Sequence, residues 1–386
     1  MITKKAIEKF GAIRTPFYYY DVELLNKTLD VYTSYTKKFK YNAHYAIKAN
    51  AEPRILQIIQ KAGLGADCVS GNEVKLAIKN GFAPSKIVYA GVGKSDAEIK
   101  TALKAGIYSF NCESVPEIQI INDLAAGMGT TARISLRVNP DIDAHTHKYI
   151  STGRKEDKFG ISPWEFESVT NLIKNLKNVK LIGLHFHVGS QITDMSVFPL
   201  LCRMVEQLQK WFIDRGIKIE NLNLGGGLGI DYQNPNENPI ANFKDYFTLI
   251  NKNLIVRPGQ KVHFEPGRAI VGQCGHLISR VLYVKIGQKM KFVILDAGMN
   301  DLIRPALYQA HHAIENLVSN GKLTKYDVVG PVCESSDKFG HNIILPETHR
   351  GDFVALHSAG AYGQVMAMRY NQKDLAKAYY SDELVK

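Results

Sequence analysis

The chain has 386 residues, 45% hydrophobic and 22% charged, which is the composition of a globular protein. No uninterrupted apolar stretch could cross a bilayer and residues 1–10 are too polar for a secretory signal, so we expect a cytoplasmic protein without a membrane partner. The net charge of +11 is spread along the chain without a basic block, which argues against nucleic-acid binding and favours small anionic ligands.

Eight short β-rich segments recur along the first two thirds of the sequence, and amphipathic segments separate them. Helical spacing of apolar residues predicts helices at residues 54–62, 72–80, 97–105 and 197–215. Alternating strands and helices predict an α/β fold with a (β/α)8 barrel, whose functional residues come from the carboxyl ends of its strands. The eight strands are predicted at residues 43–47, 65–69, 87–90, 108–112, 134–139, 182–188, 222–224 and 262–265.

The pattern changes after about residue 270 to strand-like runs separated by turns. These runs predict a C-terminal β domain, and the strand-like residues 16–20 are expected to join it. The predicted boundaries are residues 1–25 for the N-terminal segment, 26–270 for the barrel and 271–386 for the β domain. The C-terminal strands are predicted at residues 277–286, 291–296, 327–332, 342–345 and 352–357.

Lys48 follows the first predicted barrel strand, at the point where a buried strand gives way to a loop. Partial burial lowers the pKa of a lysine, and the resulting free amine can attack a carbonyl and form an imine with an aldehyde cofactor. On this segment alone, a surface lysine that ends a strand is an equally good interpretation.

Further reactive residue types follow the seventh and eighth strands. Residues 225–227 are glycines, which let backbone amides approach a phosphate, although a tight turn would need the same residues. Gly267 lies in the next loop and would join them. Glu265 could keep a pyridine nitrogen protonated, or it could form a local ion pair with Arg268.

Four other residues stand out. His185 and His187 alternate on one strand and could bind a metal, but no third ligand has suitable spacing, so we expect no metal. Stacking on a flat cofactor, or core packing, explains His187 more readily. The five cysteines contain no CxxC pair, and Cys333 with Glu334 displays a thiol and a carboxylate on one loop.

The order of these motifs resembles the fold type III pyridoxal phosphate decarboxylases over nearly the whole chain. The resemblance implies an alanine racemase-like barrel with a β domain, pyridoxal 5′-phosphate as the cofactor, and an amino-acid substrate. The matching motifs are YAIKAN (residues 45–50), RVNPD (137–141) continuing into HTHKYISTG (145–153), KFG (158–160), HFHVGSQ (185–191), GGGLG (225–229), EPGR (265–268), RPALY (304–308), GPVCE (330–334) and GAYG (360–363).

The resemblance also implies a role for individual residues. Lys48 would hold the cofactor covalently, His187 would stack on its ring, and Cys333 would donate a proton. Cys333 and Glu334 would be offered across the interface of a homodimer with shared active sites. The implied cofactor-binding residues are Lys48, Asp67, Arg137, His187, Ser190, Gly225, Gly226, Gly227, Glu265, Gly267, Arg268 and Tyr362, and the implied substrate-binding residues are Arg268, Arg304, Tyr308, Glu334 and Tyr362.

Within this family the motifs resemble the diaminopimelate decarboxylases, which make L-lysine from meso-2,6-diaminopimelate at the last step of lysine biosynthesis. Arg304 and Arg268 can grip the distal carboxylate of that substrate, and Glu334 can pair with its ammonium. A carboxynorspermidine decarboxylase, or another basic amino-acid decarboxylase of this fold, is the alternative. An alanine racemase would have an arginine in place of Glu265, and a non-catalytic homologue should have lost Lys48 or Cys333.

Overall fold

The computed structural model describes residues 2–139 and 158–384. Contacts divide the chain into a barrel unit, residues 29–229 and 242–267, and a β unit, residues 1–28, 230–241 and 268–386. Residues 230–241 thus group with the β unit, although they lie inside the stretch that the sequence assigns to the barrel. The predicted domain boundaries themselves stay a prediction.

The elements are numbered in chain order. The strands are β1 (Phe17–Tyr20), β2 (Asn42–Ala46), β3 (Gly65–Cys68), β4 (Ile87–Tyr89), β5 (Ser109–Cys112), β6 (Ala132–Arg137), β7 (Val179–His185), β8 (Asn221–Asn223), β9 (Lys261–Phe264), β10 (Gly275–Ile286), β11 (Lys291–Leu295), β12 (Ile314–Asn316), β13 (Leu323–Val329), β14 (Lys338–Pro346), β15 (Phe353–Leu356) and β16 (Lys377–Tyr380). The helices are α1 (Lys4–Phe10), α2 (Val22–Phe39), α3 (Pro53–Lys61), α4 (Gly71–Lys79), α5 (Asp96–Ala105), α6 (Val115–Gly127), α7 (Phe166–Asn175), α8 (Val197–Ile213), α9 (Phe243–Asn253), α10 (Arg268–Val271), α11 (Arg304–Tyr308) and α12 (Ser381–Leu384).

The barrel unit contains a closed barrel of eight strands, β2 to β9, in sequence order. All neighbouring strands are parallel, and Ala43 opposite Phe264 closes the barrel between β2 and β9. Each of the eight predicted strands corresponds to one of them, so the predicted (β/α)8 fold is confirmed. Because the strands are parallel, their carboxyl ends, where the reactive residues were predicted, form one rim.

Local sequence signals explain where the barrel helices begin and which face they bury. Ser70 accepts a hydrogen bond from the backbone N–H of Glu73 and so caps α4, while Ser95 and Glu98 form a capping box at α5. The apolar face of α3 is buried, as its spacing predicted. Among residues 2–139 and 158–384, every helix is too short or too polar to span a membrane.

Two stacked histidines lie inside the barrel. His44 Nε2 is 2.9 Å from His263 Nδ1, and His263 Nε2 is 3.1 Å from Oδ1 of Asn221. Both imidazoles are at most 4% exposed. Burial lowers the pKa of both rings, and His44 lowers that of His263 further. Both histidines are therefore neutral in the folded barrel.

Acid is expected to destabilise the protein through these two histidines. In the unfolded chain they bind protons below about pH 6.5, whereas the folded barrel keeps them neutral, so stability falls as the pH falls. The expected loss is about 1.4 kcal/mol in the free energy of unfolding per pH unit for each histidine. Urea unfolding at a series of pH values measures it. His263→Gln should flatten the slope, whereas His349→Gln, at an exposed position, should not; equal slopes would contradict the argument.

The β unit is built on a mixed sheet in the order β12-β15-β10-β11-β13-β14. The N-terminal strand β1 pairs antiparallel with β10 and parallel with β16, which confirms that this strand joins the β domain. Phe10 of α1 packs edge-on against Phe17 and Tyr19 of β1. These rings belong to a buried cluster that includes Ile278 and Ala355, so burial of aromatic surface holds the N-terminal segment on the sheet.

Candidate active site

Lys48 lies on the 3-10 turn Ile47–Ala49 that directly follows β2. Its Nζ is 3.2 Å from Oδ2 of Asp67 on β3. The side chain of Lys48 is 36% exposed, whereas the side chain of Asp67 is completely buried. Oδ1 of Asp67 is also buried, and it has no hydrogen-bond partner among the described residues. The barrel rim therefore presents an accessible amine beside a carboxylate that retains a free acceptor.

Burial changes the acidity of this carboxylate. It raises the pKa of Asp67 to about 8, with the charge of Glu265 adding to the effect and the ammonium of Lys48 opposing it. The Asp67 carboxylate can consequently take up a proton near neutral pH. A neighbour that accepts the proton is what an amine needs to act as a nucleophile.

Glu265 follows β9 and is held inside the barrel by three side chains. Its Oε1 accepts hydrogen bonds from Nδ2 of Asn223 at 2.7 Å and Nδ2 of Asn111 at 3.1 Å. Its Oε2 is 2.9 Å from Nε2 of His185. All four side chains are at most 5% exposed. The orientation of the carboxylate is therefore fixed from three strands of the barrel.

The same surroundings keep Glu265 ionised. Burial alone would raise the pKa of this carboxyl, but His185 and Lys48 together hold it well below its usual value. A buried carboxylate that remains an anion favours a positive charge on any ligand group beside it. A protonated pyridine nitrogen is such a group.

The glycine loop after β8 approaches two neighbouring backbone segments. Gly225 has φ +70°, and a Cβ there would clash with the carbonyl oxygen of Phe186. A Cβ on Gly226 would clash with the carbonyl oxygen of Glu265, whose own N–H donates to the carbonyl of Gly225 at 2.8 Å. Only glycine allows this packing, so the loop lies directly beside Glu265.

His187 and Arg137 lie at the ends of neighbouring barrel strands. His187 Nδ1 accepts a hydrogen bond from the backbone N–H of Gly226 at 3.2 Å. Burial, and then the charges of Arg137 and Lys48, hold the pKa of His187 well below its usual value, so its half-buried ring is neutral. Arg137 donates to Glu113 at 2.7 Å.

The remaining predicted cofactor residues of the barrel unit lie on loops after its strands. Ser190 is half-buried in the loop after β7. Gly267 is buried in the loop after β9, where the preceding Pro266 accepts a backbone hydrogen bond from Ala46 at 2.9 Å. The structure thus brings the predicted residues of the barrel unit to the carboxyl ends of its strands.

Two buried arginines form a cluster within the β unit. Arg268 donates through Nη1 to the hydroxyl of Tyr232 at 2.7 Å, and its guanidinium lies 4.8 Å from the ring centre of Tyr362. Arg304 lies 4.9 Å from the ring centre of Tyr232. Tyr308 is the last residue of α11, the helix that begins at Arg304. Two guanidinium groups packed on aromatic rings make a positively charged cluster suited to a carboxylate.

His312 fixes the orientation of Arg304. Nη1 of Arg304 donates to Nε2 of His312 at 2.8 Å, and Nδ1 of His312 donates to the carbonyl of His357 at 2.8 Å. Burial and the charge of Arg304 lower the pKa of His312 to about 3. The ring is therefore neutral, and Nε2 stays available as an acceptor.

Cys333 and Glu334 lie outside this buried cluster, on the exposed loop between β13 and β14. Glu334 accepts hydrogen bonds from the hydroxyl of Tyr370 and from Ser336 Oγ, the latter at 3.3 Å. Cys333 is the exposed member of the five cysteines, all of which are free thiols. An exposed thiol beside a carboxylate is accessible to a neighbouring molecule.

Sequence reasoning missed four residues of these clusters and gave His185 a different role. Asn111 and Asn223 gave a weak signal, as amides within strands, whereas Tyr232 and His312 gave none. His185 was considered as a metal ligand, but its Nε2 faces Glu265. Within the described parts of the chain, no group of three His, Cys, Asp or Glu residues could hold a metal ion. Pro140, Asp141 and the predicted motif at residues 145–153 lie outside the described residues.

The barrel residues fit the cofactor that the motifs imply. An amine stands beside a buried carboxylate with a free acceptor atom, and a second carboxylate is kept anionic inside the barrel. The adjoining glycine loop is packed so closely that a Cβ would clash. These are the groups needed to bind an aldehyde, a pyridine nitrogen and a phosphate, respectively.

Comparison with known proteins agrees with this geometry. Residues 25–272 match the family model described as the pyridoxal binding domain of pyridoxal-dependent decarboxylases. The chain is 54% identical over 380 residues to a diaminopimelate decarboxylase of Bacteroides thetaiotaomicron, covering 98% of each chain.

Two of the solved structures that resemble nearly the whole chain hold L-lysine. The diaminopimelate decarboxylase of Helicobacter pylori complexed with L-lysine has a TM-score of 0.91 and 41% identity, covering 97% of this chain and 93% of that one. The diaminopimelate decarboxylase of M. jannaschii, in complex with L-lysine, has a TM-score of 0.90 and 34% identity, covering 98% and 90%. The chain therefore belongs to the pyridoxal-dependent decarboxylases, and among these to the family of the diaminopimelate decarboxylases.

Proposed function

We propose that the chain is a carboxy-lyase that converts meso-2,6-diaminopimelate to L-lysine and carbon dioxide with pyridoxal 5′-phosphate, at the last step of lysine biosynthesis. The observation that carries the proposal is the buried Glu265, which remains an anion inside the barrel. The cofactor, when bound, supplies an electron sink for the electrons that the departing carboxylate leaves behind. An anionic Glu265 strengthens that sink by keeping the ring nitrogen protonated.

The barrel residues divide the remaining tasks. Lys48 offers the amine that anchors the aldehyde, and Asp67 accepts its proton. The neutral ring of His187 stacks on the flat cofactor without adding a competing charge. Gly227, together with Ser190, places polar backbone and hydroxyl groups for the phosphate. Arg137, Gly267 and the other predicted cofactor residues complete this site.

The arginine cluster explains the choice of substrate. Diaminopimelate has a second amino-acid end, and Arg268 and Arg304 offer forked donors for its carboxylate. Tyr362 and Tyr308 border the same site, and Glu334 pairs with the distal ammonium. The two related structures described above hold L-lysine, which keeps that amino-acid end.

We further propose that the protein is a homodimer with shared active sites. The exposed position of Cys333 and Glu334 supports this, because a loop that faces outward can complete the site of a neighbouring copy. Sγ of Cys333 then donates a proton to the reacting carbon. The five free thiols also support a reducing compartment, so we propose a cytoplasmic location. We retain residues 1–25, 26–270 and 271–386 as the proposed domain boundaries.

A panel of amino acids tests this function. The purified chain with its cofactor should release carbon dioxide from meso-diaminopimelate and form L-lysine. Ornithine and arginine lack the second amino-acid end, so their kcat/KM should be lower by at least about tenfold. We expect carboxynorspermidine to be poorer by at least the same factor. Faster turnover of carboxynorspermidine than of diaminopimelate would refute the substrate, while leaving the decarboxylase assignment intact.

A further inference from the structure

One buried amide contacts two parts of the proposed cofactor site. Nδ2 of Asn223 donates to Glu265 Oε1 at 2.7 Å, and Oδ1 of Asn223 accepts the backbone N–H of Gly225 at 3.0 Å. The residue is 4% exposed and ends β8, directly before the glycine loop. A single side chain thus connects the carboxylate at the ring end to the loop at the phosphate end.

The chemistry of the amide allows only one orientation. A backbone N–H must face the amide oxygen, and a carboxylate must face the amide nitrogen. Rotating the amide by half a turn would place its oxygen against the Glu265 carboxylate and its nitrogen against the N–H of Gly225. Both contacts would then be repulsive, so the hydrogen bond to either partner fixes the orientation of the amide toward the other partner.

We propose that Asn223 is a positioning residue that joins the glycine loop to Glu265, so that the phosphate and the ring of the cofactor are recognised together. This inference rests on the proposed roles of the loop and of Glu265. A shift of the loop turns the amide and moves the donor away from Glu265. Removal of the whole side chain therefore removes one hydrogen bond from Glu265 and one from the loop.

Asn111 provides the matched control. It donates to the same oxygen of Glu265, at 3.1 Å, and is equally buried, at 1% exposure. It lies on β5, and its side-chain contact is with the carboxylate rather than with the loop. Removing Asn111 should therefore weaken binding of the cofactor ring alone, whereas removing Asn223 should weaken binding of both the ring and the phosphate.

The experiment compares two aldehydes, pyridoxal 5′-phosphate and pyridoxal, which differ by the phosphate. Dissociation constants are measured by absorbance titration of the full chain from which the bound cofactor has been removed. The dissociation constant for pyridoxal divided by that for pyridoxal 5′-phosphate reports how strongly the protein recognises the phosphate. Asn223→Ala should lower this ratio by about tenfold, as expected for one lost buried hydrogen bond, whereas Asn111→Ala should weaken both aldehydes and leave the ratio unchanged.

A second variant covers the case in which Asn223→Ala does not fold. In Asn223→Ser the serine hydroxyl can still accept a hydrogen bond from the N–H of Gly225, but it is too short to reach Glu265. It should weaken both aldehydes and preserve the ratio. The inference is overturned if Asn223→Ala leaves the ratio at the wild-type value, or if Asn111→Ala or Asn223→Ser lowers it about tenfold. Because the readout is cofactor binding, the ratio remains measurable even if the substrate panel refutes diaminopimelate, which separates the two failures.

Discussion

Replacing Lys48 by alanine is expected to abolish both the visible absorbance of the lysine-linked cofactor and the release of carbon dioxide. The amine of Lys48 is the accessible nucleophile at the barrel rim, 3.2 Å from a carboxylate that can take its proton. Without it the cofactor loses its covalent anchor and its placement. Turnover should fall by at least about 1,000-fold, which corresponds to about 4 kcal/mol in the activation barrier.

Two further variants separate this chemistry from a general effect on the protein. Lys48→Arg keeps the positive charge beside Asp67 but removes the nucleophilic amine, and it should be as inactive as Lys48→Ala. Lys210→Ala removes an exposed lysine of α8 that pairs with Asp214, and it should leave turnover unchanged. Turnover at the wild-type rate in Lys48→Ala would refute the assignment of the site.

Replacing Arg304 by alanine is expected to impair the use of diaminopimelate while leaving cofactor binding intact. Arg304 is 5% exposed and is held by His312 and the ring of Tyr232, so its side chain is already positioned for a carboxylate. Loss of one partner of a buried charged pair costs about 2 to 5 kcal/mol. The value of kcat/KM should therefore fall by about 30-fold to 4,000-fold.

The control for this variant is an arginine at the surface of the same unit. Arg350 is exposed and stacks on Tyr283, and Arg350→Ala should leave kcat/KM unchanged. Cofactor absorbance should be the same in both variants, since the expected defect concerns the substrate. An unchanged kcat/KM in Arg304→Ala would remove the proposed basis of specificity.

Much of the barrel could be predicted because its signals are local. The strands are short β-rich segments, the predicted helices have apolar residues at helical spacing, and parallel strands must place their carboxyl ends on one rim. Lys48, Glu265 and the glycine loop each follow a strand, so their common location follows from the fold. The strand predicted at residues 182–188 instead spans Val179–His185, although the N–H of Phe186 still donates to the carbonyl of Asn223 at 2.8 Å.

The two asparagines that escaped prediction act across long separations in sequence. Asn111 and Asn223 reach Glu265 from β5 and β8, and nothing local in either strand specifies that carboxylate as a partner. His312 contacts Arg304 from a loop whose sequence has neither strand nor helix periodicity. In the β unit, β13 begins at Leu323, whereas the predicted strand begins at residue 327. The first residues of β13 were missed because they are exposed or half-buried and do not form an apolar run.

The distribution of the cysteines makes the protein chemically vulnerable at one point. Cys68, Cys112, Cys202 and Cys274 are buried, and burial raises the pKa of each of these thiols, which suppresses the reactive thiolate. In a chain that is not paired with a second copy, peroxide and alkylating reagents therefore reach Cys333 first. The sulfur proposed to deliver the proton is thus the one within reach of reagents in solution, and its oxidation to a sulfenic acid would stop that delivery.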